Sequence, residues 1–406
     1  METFVAHYSE IALKGKNRPE FVRLLRRNLG KALSGLEASI SFEDGRFLIR
    51  AKGSAEEVAP ALSTVFGLSW FARATISERD YGKIREEVML HASGNEATFK
   101  IAARRSDKSF PLSSTELERR LGAEVVSKTG KKVRLDGPEL TIHVDVLRER
   151  ALVYSDRSKG PGGLPVGTAG RVVHLFSGGI DSPVSAWLMM KRGCRPVYLH
   201  FYLAPTPEVP LTSKVARLVE MLSAYSGKNT LILVPFADYQ ISTFGVPGEL
   251  EPSLFRRFMR MTAEAVAPAL GASGISTGDA LSQAASQTLW NLKAFDEGST
   301  LPILRPLLSY DKEEVIALAR RIGTYETSLE EYKDCCAIVS RHPRTRVKAQ
   351  LVSEYAGGYS FKQLVWDSIG KGTLATYNQT TRAWKSGPLR EGLHLPAEEL
   401  KAEAKL

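Results

Sequence analysis

Cysteine is scarce: the 406 residues contain three, Cys194, Cys335 and Cys336. Three thiols cannot build the disulfide framework that staples small secreted domains. No Cys-x-x-Cys pair occurs and the seven histidines are scattered, which argues against a structural zinc or an all-cysteine iron–sulfur cluster. Long apolar runs are missing too. None reaches the roughly 18 residues a membrane span needs, and charged sequence follows Met1–Ala6 where a secretory signal would carry its apolar core. Internal repeats and low-complexity tracts are absent. With 43% hydrophobic and 25% charged residues the composition is that of a globular chain, neither disordered nor collagen-like. These absences predict a soluble, cytoplasmic protein with no membrane partner. At about 150 residues per domain the length predicts two or three domains.

What is present in excess is positive charge. Lys plus Arg number 55 against 45 Asp plus Glu, a net +10, and the pI is near 9.4. Up to Gly170 there are 28 basic and 22 acidic residues, and beyond it 27 and 23, so the surplus is denser in the shorter first part. Such a balance fits a polyanionic partner, RNA or DNA, and equally a solvated lysine-rich surface.

Residues 1–80 read as a small α+β unit. Asn17 with Glu20 three positions on predicts a helix start at Asn17-Arg18-Pro19. Phe21, Leu25, Leu29 and Ala32 then form an apolar stripe, opposite Arg23, Arg26, Arg27 and Lys31. Alternating runs around Glu43-Asp44-Gly45 predict hairpin strands at 38–42 and 46–51. A second unit spans 81–160, with a start near residue 55 as the alternative boundary, and has helices at 81–91 and 114–128 and strands at 98–103, 140–147 and 151–155. The stretch Ser158–Gly170 holds five glycines and two prolines in thirteen residues and reads as a linker or an ordered crossing loop. Strand–helix alternation follows, with strands at 171–176, 195–202, 230–235 and 274–277 and helices at 183–192, 213–226 and 254–270. That pattern predicts a parallel sheet covered on both faces. Its ligands belong at the carboxyl ends of the strands. This third unit is taken as 171–345, with 346–406 as a C-terminal extension.

Chemistry concentrates in Val172-Val173-His174-Leu175-Phe176-Ser177-Gly178-Gly179-Ile180-Asp181-Ser182-Pro183. A buried strand runs into a tight Ser-Gly-Gly turn with a helix behind it. Glycine lets the backbone approach an anion, while serine hydroxyls and the free amides of a helix start bind it. Pro183 suits the first helical turn. Asp181 beside such an anion fits a carboxylate that shares Mg²⁺ with a pyrophosphate, or a helix cap. Asp334-Cys335-Cys336-Ala337 is the second chemical feature: an exposed thiol in a reducing compartment is a nucleophile or sulfur carrier, a buried one a small hydrophobe. Cys194 reads as packing.

The Ser-Gly-Gly-Ile-Asp-Ser loop resembles the pyrophosphate loop (PP-loop) of the ATP pyrophosphatases, which cleave ATP to AMP and pyrophosphate while adenylating an oxygen. Four further segments resemble the tRNA 4-thiouridine synthetase (tRNA sulfurtransferase) family. They are Tyr8-Ser9-Glu10-Ile11-Ala12-Leu13-Lys14-Gly15-Lys16-Asn17-Arg18, Gly163-Leu164-Pro165-Val166-Gly167, Phe255-Arg256-Arg257-Phe258-Met259-Arg260, and Thr277-Gly278-Asp279 with its continuation to Thr288. The resemblance runs from residue 4 to about 345. It implies an α+β part, an N-terminal ferredoxin-like domain and a THUMP RNA-binding domain, followed by an α/β PP-loop domain with a doubly wound parallel sheet. For ATP it implies Leu175, Phe176, Ser177, Gly178, Gly179, Asp181, Ser182, His200, Phe201, Arg256, Gly278 and Gln287, with Mg²⁺ on Asp181 and Lys312 near the phosphates. It places sulfur handling on Cys336, with Cys335 as second candidate, and RNA contacts on Lys14, Lys16, Arg18, Arg104, Arg105 and Lys108.

The activity implied is ATP-dependent conversion of a tRNA uridine, position 8 in the family, to 4-thiouridine through an adenylated uridine. No cysteine follows Cys336, so the chain resembles the short form without a rhodanese domain. The short form implies that persulfide arrives from a cysteine desulfurase or another donor, or that sulfide is used directly. A second role, sulfur supply for the thiamine thiazole through a small carrier protein, is implied by the family and put in doubt by the short form. The alternatives are an NAD- or GMP-synthetase-like enzyme and a nucleotide-regulated RNA-binding protein without catalysis. Sequence alone leaves a homodimer open.

Overall fold

The computed structural model describes residues 1–332, 335 and 343–395. They fall into two compact units, Met1–Leu164 and Pro165–Leu406. No helix among the described residues is long and apolar enough to cross a membrane.

The N-terminal unit opens with β1 (Glu2–Tyr8), a helix over Arg18–Ala32, β2 (Ala38–Glu43), β3 (Arg46–Ala51), a helix over Ala55–Ser63 and β4 (Leu68–Arg73). The strands lie in the order β4-β1-β3-β2, every pair antiparallel. This is the ferredoxin-like arrangement. Strand alternation explains the apolar run in β3: Phe47, Ile49 and Ala51 face the two helices, while Leu48 points to the other side. Leu25 and Leu29 of the expected stripe are fully buried. Asn17 makes no cap, a correction to the sequence reading. A 3₁₀ stretch over Glu10–Asn17, kinked at Gly15, adjoins the helix, so Asn17 already has helical backbone, and Ser9 caps the start of the 3₁₀ stretch instead.

The unit continues with β5 (Thr75–Ser77), a helix over Tyr81–His91, β6 (Thr98–Arg105), a helix over Ser114–Thr129, β7 (Lys132–Val133), β8 (Leu140–Val146) and β9 (Ala151–Tyr154). These strands form a second sheet, β5-β9-β8-β6-β7. The helix Ser114–Thr129 starts at a Ser113/Glu116 capping box and stops at Gly130 in the left-handed conformation. Its Leu117, Leu121 and Val125 pack on β6 and β8. Between the two sheets lie Val5, Leu48, Ala72, Leu152 and Tyr154. A buried ion pair joins them there, Arg46 Nε to Asp145 Oδ2 at 2.9 Å, with Tyr154 donating to the same oxygen. The glycine-rich stretch is an ordered crossing. Its first residues form β10 (Ser158–Lys159) on the β4 edge, and Gly162 N–H donates to Leu68 O.

In the second unit seven strands lie in one sheet: β11 (Arg171–Leu175), β12 (Arg195–Tyr202), β13 (Lys228–Pro235), β14 (Ala272–Ser276), β15 (Ile303–Leu304), β16 (Thr373–Asn378) and β17 (Ala383–Pro388). The order is β15-β14-β11-β12-β13-β16-β17. The first five are parallel, and β16 and β17 add an antiparallel hairpin beside β13. From β11 the chain first proceeds outward through β12 and β13, then returns to place β14 on the other side of β11. The order therefore reverses between β11 and β14, and a crevice opens beyond their carboxyl ends. The largest hydrophobic core backs this crevice, with Phe201, Tyr239, Phe255, Phe258 and Phe361 in mutual contact.

Candidate active site

The loop after β11 is built by short local bonds. Ser182 Oγ donates to Ser177 O at 2.6 Å, and Gly179 N–H donates to Ser177 Oγ at 3.3 Å. The following helix spans Asp181–Lys191, two residues earlier than the sequence suggested. Asp181 is its first residue and not its cap, a correction to one of the two roles considered for it. Pro183 is tolerated because amides of the first turn need no intrahelical acceptor. Behind the loop His174 is fully buried between Ser182 O (3.0 Å from Nε2) and Ser276 Oγ (2.7 Å from Nδ1). A carbonyl only accepts, so Nε2 carries the proton and Nδ1 accepts from the serine. Burial pushes this ring down to about 4, the bond to Ser182 acting the other way, so it is neutral at pH 7. His174 thereby fixes the helix start to both β11 and β14.

Two glycines bear on the geometry. A Cβ on Gly278 would stand 3.1 Å from Ser182 N and 3.2 Å from Asp181 C, so the loop after β14 lies against the backbone of the helix start. A Cβ on Gly178 would stand 2.7 Å from Lys214 Cε. At Gly278 a Cβ would meet main-chain atoms that have to give by a few tenths of an ångström, and at Gly178 it would displace the end of the Lys214 side chain.

Asp181 is half-buried. Its Oδ1 accepts from Lys312 Nζ and its Oδ2 from Gln283 Nε2, each at 2.8 Å. The fold thus brings Lys312 to Asp181 across 131 positions of sequence. Next to the loop is a cavity of about 320 Å³. Leu175, Phe176, Ser177, Asp181, Ser182, His200, Phe201, Arg256, Gly278, Gln287 and Cys335 all line it. Gly178, Gly179 and Lys312 stand outside that lining. Cys336 and Asp334 lie outside the described residues.

Several side chains at the cavity were not singled out from sequence. Asp279 is the centre of a buried charge cluster. Arg256 grips both its oxygens at 2.8 Å, Thr277 Oγ1 donates to Oδ2 at 2.8 Å, and Arg305 Nε lies 3.3 Å from Oδ2. Burial raises its carboxyl, but the two guanidiniums and the hydroxyl outweigh this and hold it at about 2. Arg256 also stacks over Phe295, 4.6 Å from the ring centre. The signal for Asp279 was its place in Thr-Gly-Asp; its partners are up to 26 residues away and invisible to periodicity. His200 is buried with both nitrogens engaged, Nδ1 donating to Phe176 O and Nε2 accepting from Tyr332 Oη, each 2.9 Å. Gln287 Oε1 is buried at the cavity with no hydrogen-bond donor among the described residues, which fits a ligand bearing an N–H, such as an adenine amino group. Cys335 is 1% exposed, its Sγ donating to Phe201 O at 3.2 Å. Cys194 packs against Val172 and Met189, and burial pushes its thiol up.

Among the described residues no group of three metal-ligating side chains stands together. Asp181 alone fits a magnesium that takes its other ligands from phosphate oxygens and water. In the N-terminal unit Arg104 and Lys108 are exposed, whereas Arg105 donates to Phe110 O and Leu112 O and so braces its own loop. Arg104 and Arg105 are the last residues of β6. Lys16 is exposed, Lys14 lies over Phe21, and Arg18 donates to Tyr8 Oη.

Three family descriptions match in succession: the ThiI ferredoxin-like domain over residues 3–72, the THUMP domain over 83–156, and Thiamine biosynthesis protein (ThiI) over 167–361. A protein of Thermus thermophilus named "Probable tRNA sulfurtransferase" is 40% identical over 398 residues, covering 96% of this chain and 97% of the relative. One of the same name from Moorella thermoacetica is 40% identical over 351 residues, covering 85% of this chain and 90% of the relative. Among solved structures, a 4-thiouridine synthetase in complex with RNA and bound ATP superimposes with a TM-score of 0.82 at 30% identity, covering 95% of this chain and 99% of that one. With the ferredoxin-like, THUMP and PP-loop folds in that order, and such identity along nearly its whole length, the chain belongs to the ThiI family of tRNA sulfurtransferases.

Proposed function

We propose that the chain is an ATP-dependent tRNA sulfurtransferase that converts a uridine of tRNA, position 8 in the family, into 4-thiouridine. The observation that carries this reading is that Ser177, Asp181 and Ser182 of an anion-binding loop line one cavity together with the thiol-bearing Cys335. ATP would lie with its base and ribose against Leu175 and Phe176, toward His200, Phe201 and Gln287. Its phosphates would meet the amides of residues 178–182 at the positive end of a helix. Arg256 and Gly278 complete the nucleotide contacts, Arg256 pre-oriented by Asp279. Asp181, with phosphate oxygens, would hold Mg²⁺, which lowers the charge repulsion felt by an incoming nucleophile. Lys312 already faces Asp181 and would neutralise the departing pyrophosphate.

The reaction we infer is attack of the uridine O4 on the α-phosphorus, with loss of pyrophosphate. O4 then belongs to a good leaving group, and sulfur attacks C4 while AMP departs with that oxygen. Sulfide does this without further chemistry. A persulfide leaves an S–S bond that a second thiol must open. We assign delivery of the sulfur to Cys336, with Cys335 as neighbour. The donor would be a cysteine desulfurase or another persulfide protein. The basic N-terminal unit, through Lys14, Lys16, Arg18, Arg104, Arg105 and Lys108, would grip tRNA by its phosphates and shape. The family name, Thiamine biosynthesis protein, supports a second role in thiamine synthesis, and we propose that sulfur would pass there through a small carrier protein.

The test is direct. Unmodified tRNA, Mg-ATP and sulfide are incubated with the protein, and 4-thiouridine is read by its near-ultraviolet absorbance. Product is expected with the wild type and none with Asp181→Ala, whose tRNA affinity should stay unchanged. Normal AMP release by Asp181→Ala would refute the assignment of that carboxylate.

A further inference from the structure

We infer that Lys214 is a phosphate-binding residue of this site, one that also anchors the segment leading to the cysteines. The inference rests on the nucleotide site proposed above and adds a residue outside both the PP-loop and the Asp181–Lys312 pair.

Lys214 opens the helix Lys214–Ser226 and is 9% exposed. Its ammonium lies beside the phosphate turn: a Cβ on Gly178 would stand 2.7 Å from Lys214 Cε and 3.6 Å from Nζ. Lys214 thus fills the space beside Gly178 that a side chain there would enter. A phosphate held by the amides of this turn would lie within a few ångströms of a charge largely shielded from water. At such range and burial, attraction is several times stronger than between exposed groups. An ammonium acts as a point charge and needs no fixed donor direction to attract a polyanion.

The same Nζ donates to Ser328 O at 2.8 Å. Four residues on, Tyr332 Oη bonds His200, whose other nitrogen bonds Phe176 O in the loop after β11. The stretch from Ser328 to Tyr332, which precedes Cys335, is therefore fastened at two points. One is the phosphate side, through Lys214, and the other the nucleoside side, through His200. Phosphate bound at Lys214 would stiffen the first of these.

Calorimetric titration of the full-length protein with pyrophosphate and, separately, with adenosine tests this. Lys214→Gln should weaken pyrophosphate about ten- to a hundredfold, the loss of one charge-assisted contact, and leave adenosine unchanged. Lys214→Arg should regain part of the loss. Gly178→Ala, which displaces the lysine stem, should weaken pyrophosphate in the same sense. In the wild type, pyrophosphate alone should slow amide exchange across residues 328–332, a readout that needs no variant to fold. Equal pyrophosphate affinity of wild type and Lys214→Gln overturns the inference and leaves the nucleotide site standing. Equal loss of adenosine and pyrophosphate in Lys214→Gln shows a structural role and overturns it too, as does unchanged exchange at 328–332. A wild type that binds neither ligand overturns the nucleotide site itself.

Discussion

The two neighbouring cysteines are proposed to have different roles, which substitution can separate. Cys335 is a buried thiol whose hydrogen is committed to Phe201 O, and serine in its place keeps that donor. Cys335→Ser should therefore retain most activity. Cys336→Ser should still release AMP yet form no 4-thiouridine from a persulfide donor, and high sulfide should rescue it. Full persulfide-dependent activity of Cys336→Ser would pass the role to Cys335. Cys194→Ser should stay active and lose about 1 kcal/mol of stability, since it only packs. The buried His174 gives a pH test. Its ring takes a proton near pH 6.5 when unfolded but only at about 4 when folded. Between these values the unfolded chain binds the extra proton, so stability is full above 6.5 and falls as pH drops through that window, by up to about 3 kcal/mol. Urea unfolding at pH 7 and pH 4.5 should show the loss, and His174→Gln should flatten it. An equally steep loss in His174→Gln would mean that another group titrates.

Elements meet at the site by close backbone approach, and this is what a residue pattern conveys least. The loop after β14 reaches the first turn of the helix Asp181–Lys191 only because position 278 has no Cβ. Alanine there meets main-chain atoms, which cannot swing aside as a side chain can. Gly278→Ala should cut AMP formation about tenfold or more by displacing the loop a few tenths of an ångström, with intact far-ultraviolet dichroism. Unchanged kinetics would mean that the two elements can separate freely. Elements that follow a period were legible: the helix Tyr81–His91 and the strand Arg46–Ala51 stand where the pattern put them. Boundaries set by packing were not. The helix over Glu251–Leu270 begins three residues before its apolar pattern does. β16 and β17, short and half-polar, were not recognised as strands, because only pairing makes them so, β16 with β13 and β17 with β16.

At the scale of the whole molecule, the proposed function assigns tRNA binding to the N-terminal unit, where the excess of basic residues is denser, and chemistry to the loop after β11. A fragment starting at Pro165, where the second compact unit begins, should bind ATP but lose most tRNA affinity. The affinity of the full chain should fall steeply with added salt as phosphate contacts are screened. Filter binding of labelled tRNA at two salt concentrations measures both. Equal affinity of fragment and whole chain would refute the placement of RNA contacts in the N-terminal unit.

Sequence by itself determined the strand–helix alternation of the second unit and the strand–turn–helix of residues 172–183, which are local: hydrophobic period, glycine in a turn and proline in a first helical turn act within a few positions. The ferredoxin-like and THUMP folds and most of the residues that line the cavity, His200, Arg256 and Gln287 among them, came from the family resemblance of whole segments. Only the tertiary structure decided which distant groups meet. Lys312 reaches Asp181, Arg256 and Arg305 converge on Asp279, and Lys214 presses on Gly178. Such contacts depend on the reversal of strand order between β11 and β14 and on the elements packed around it. A charge on a helix face carries no mark of its partner until the sheet brings the two together.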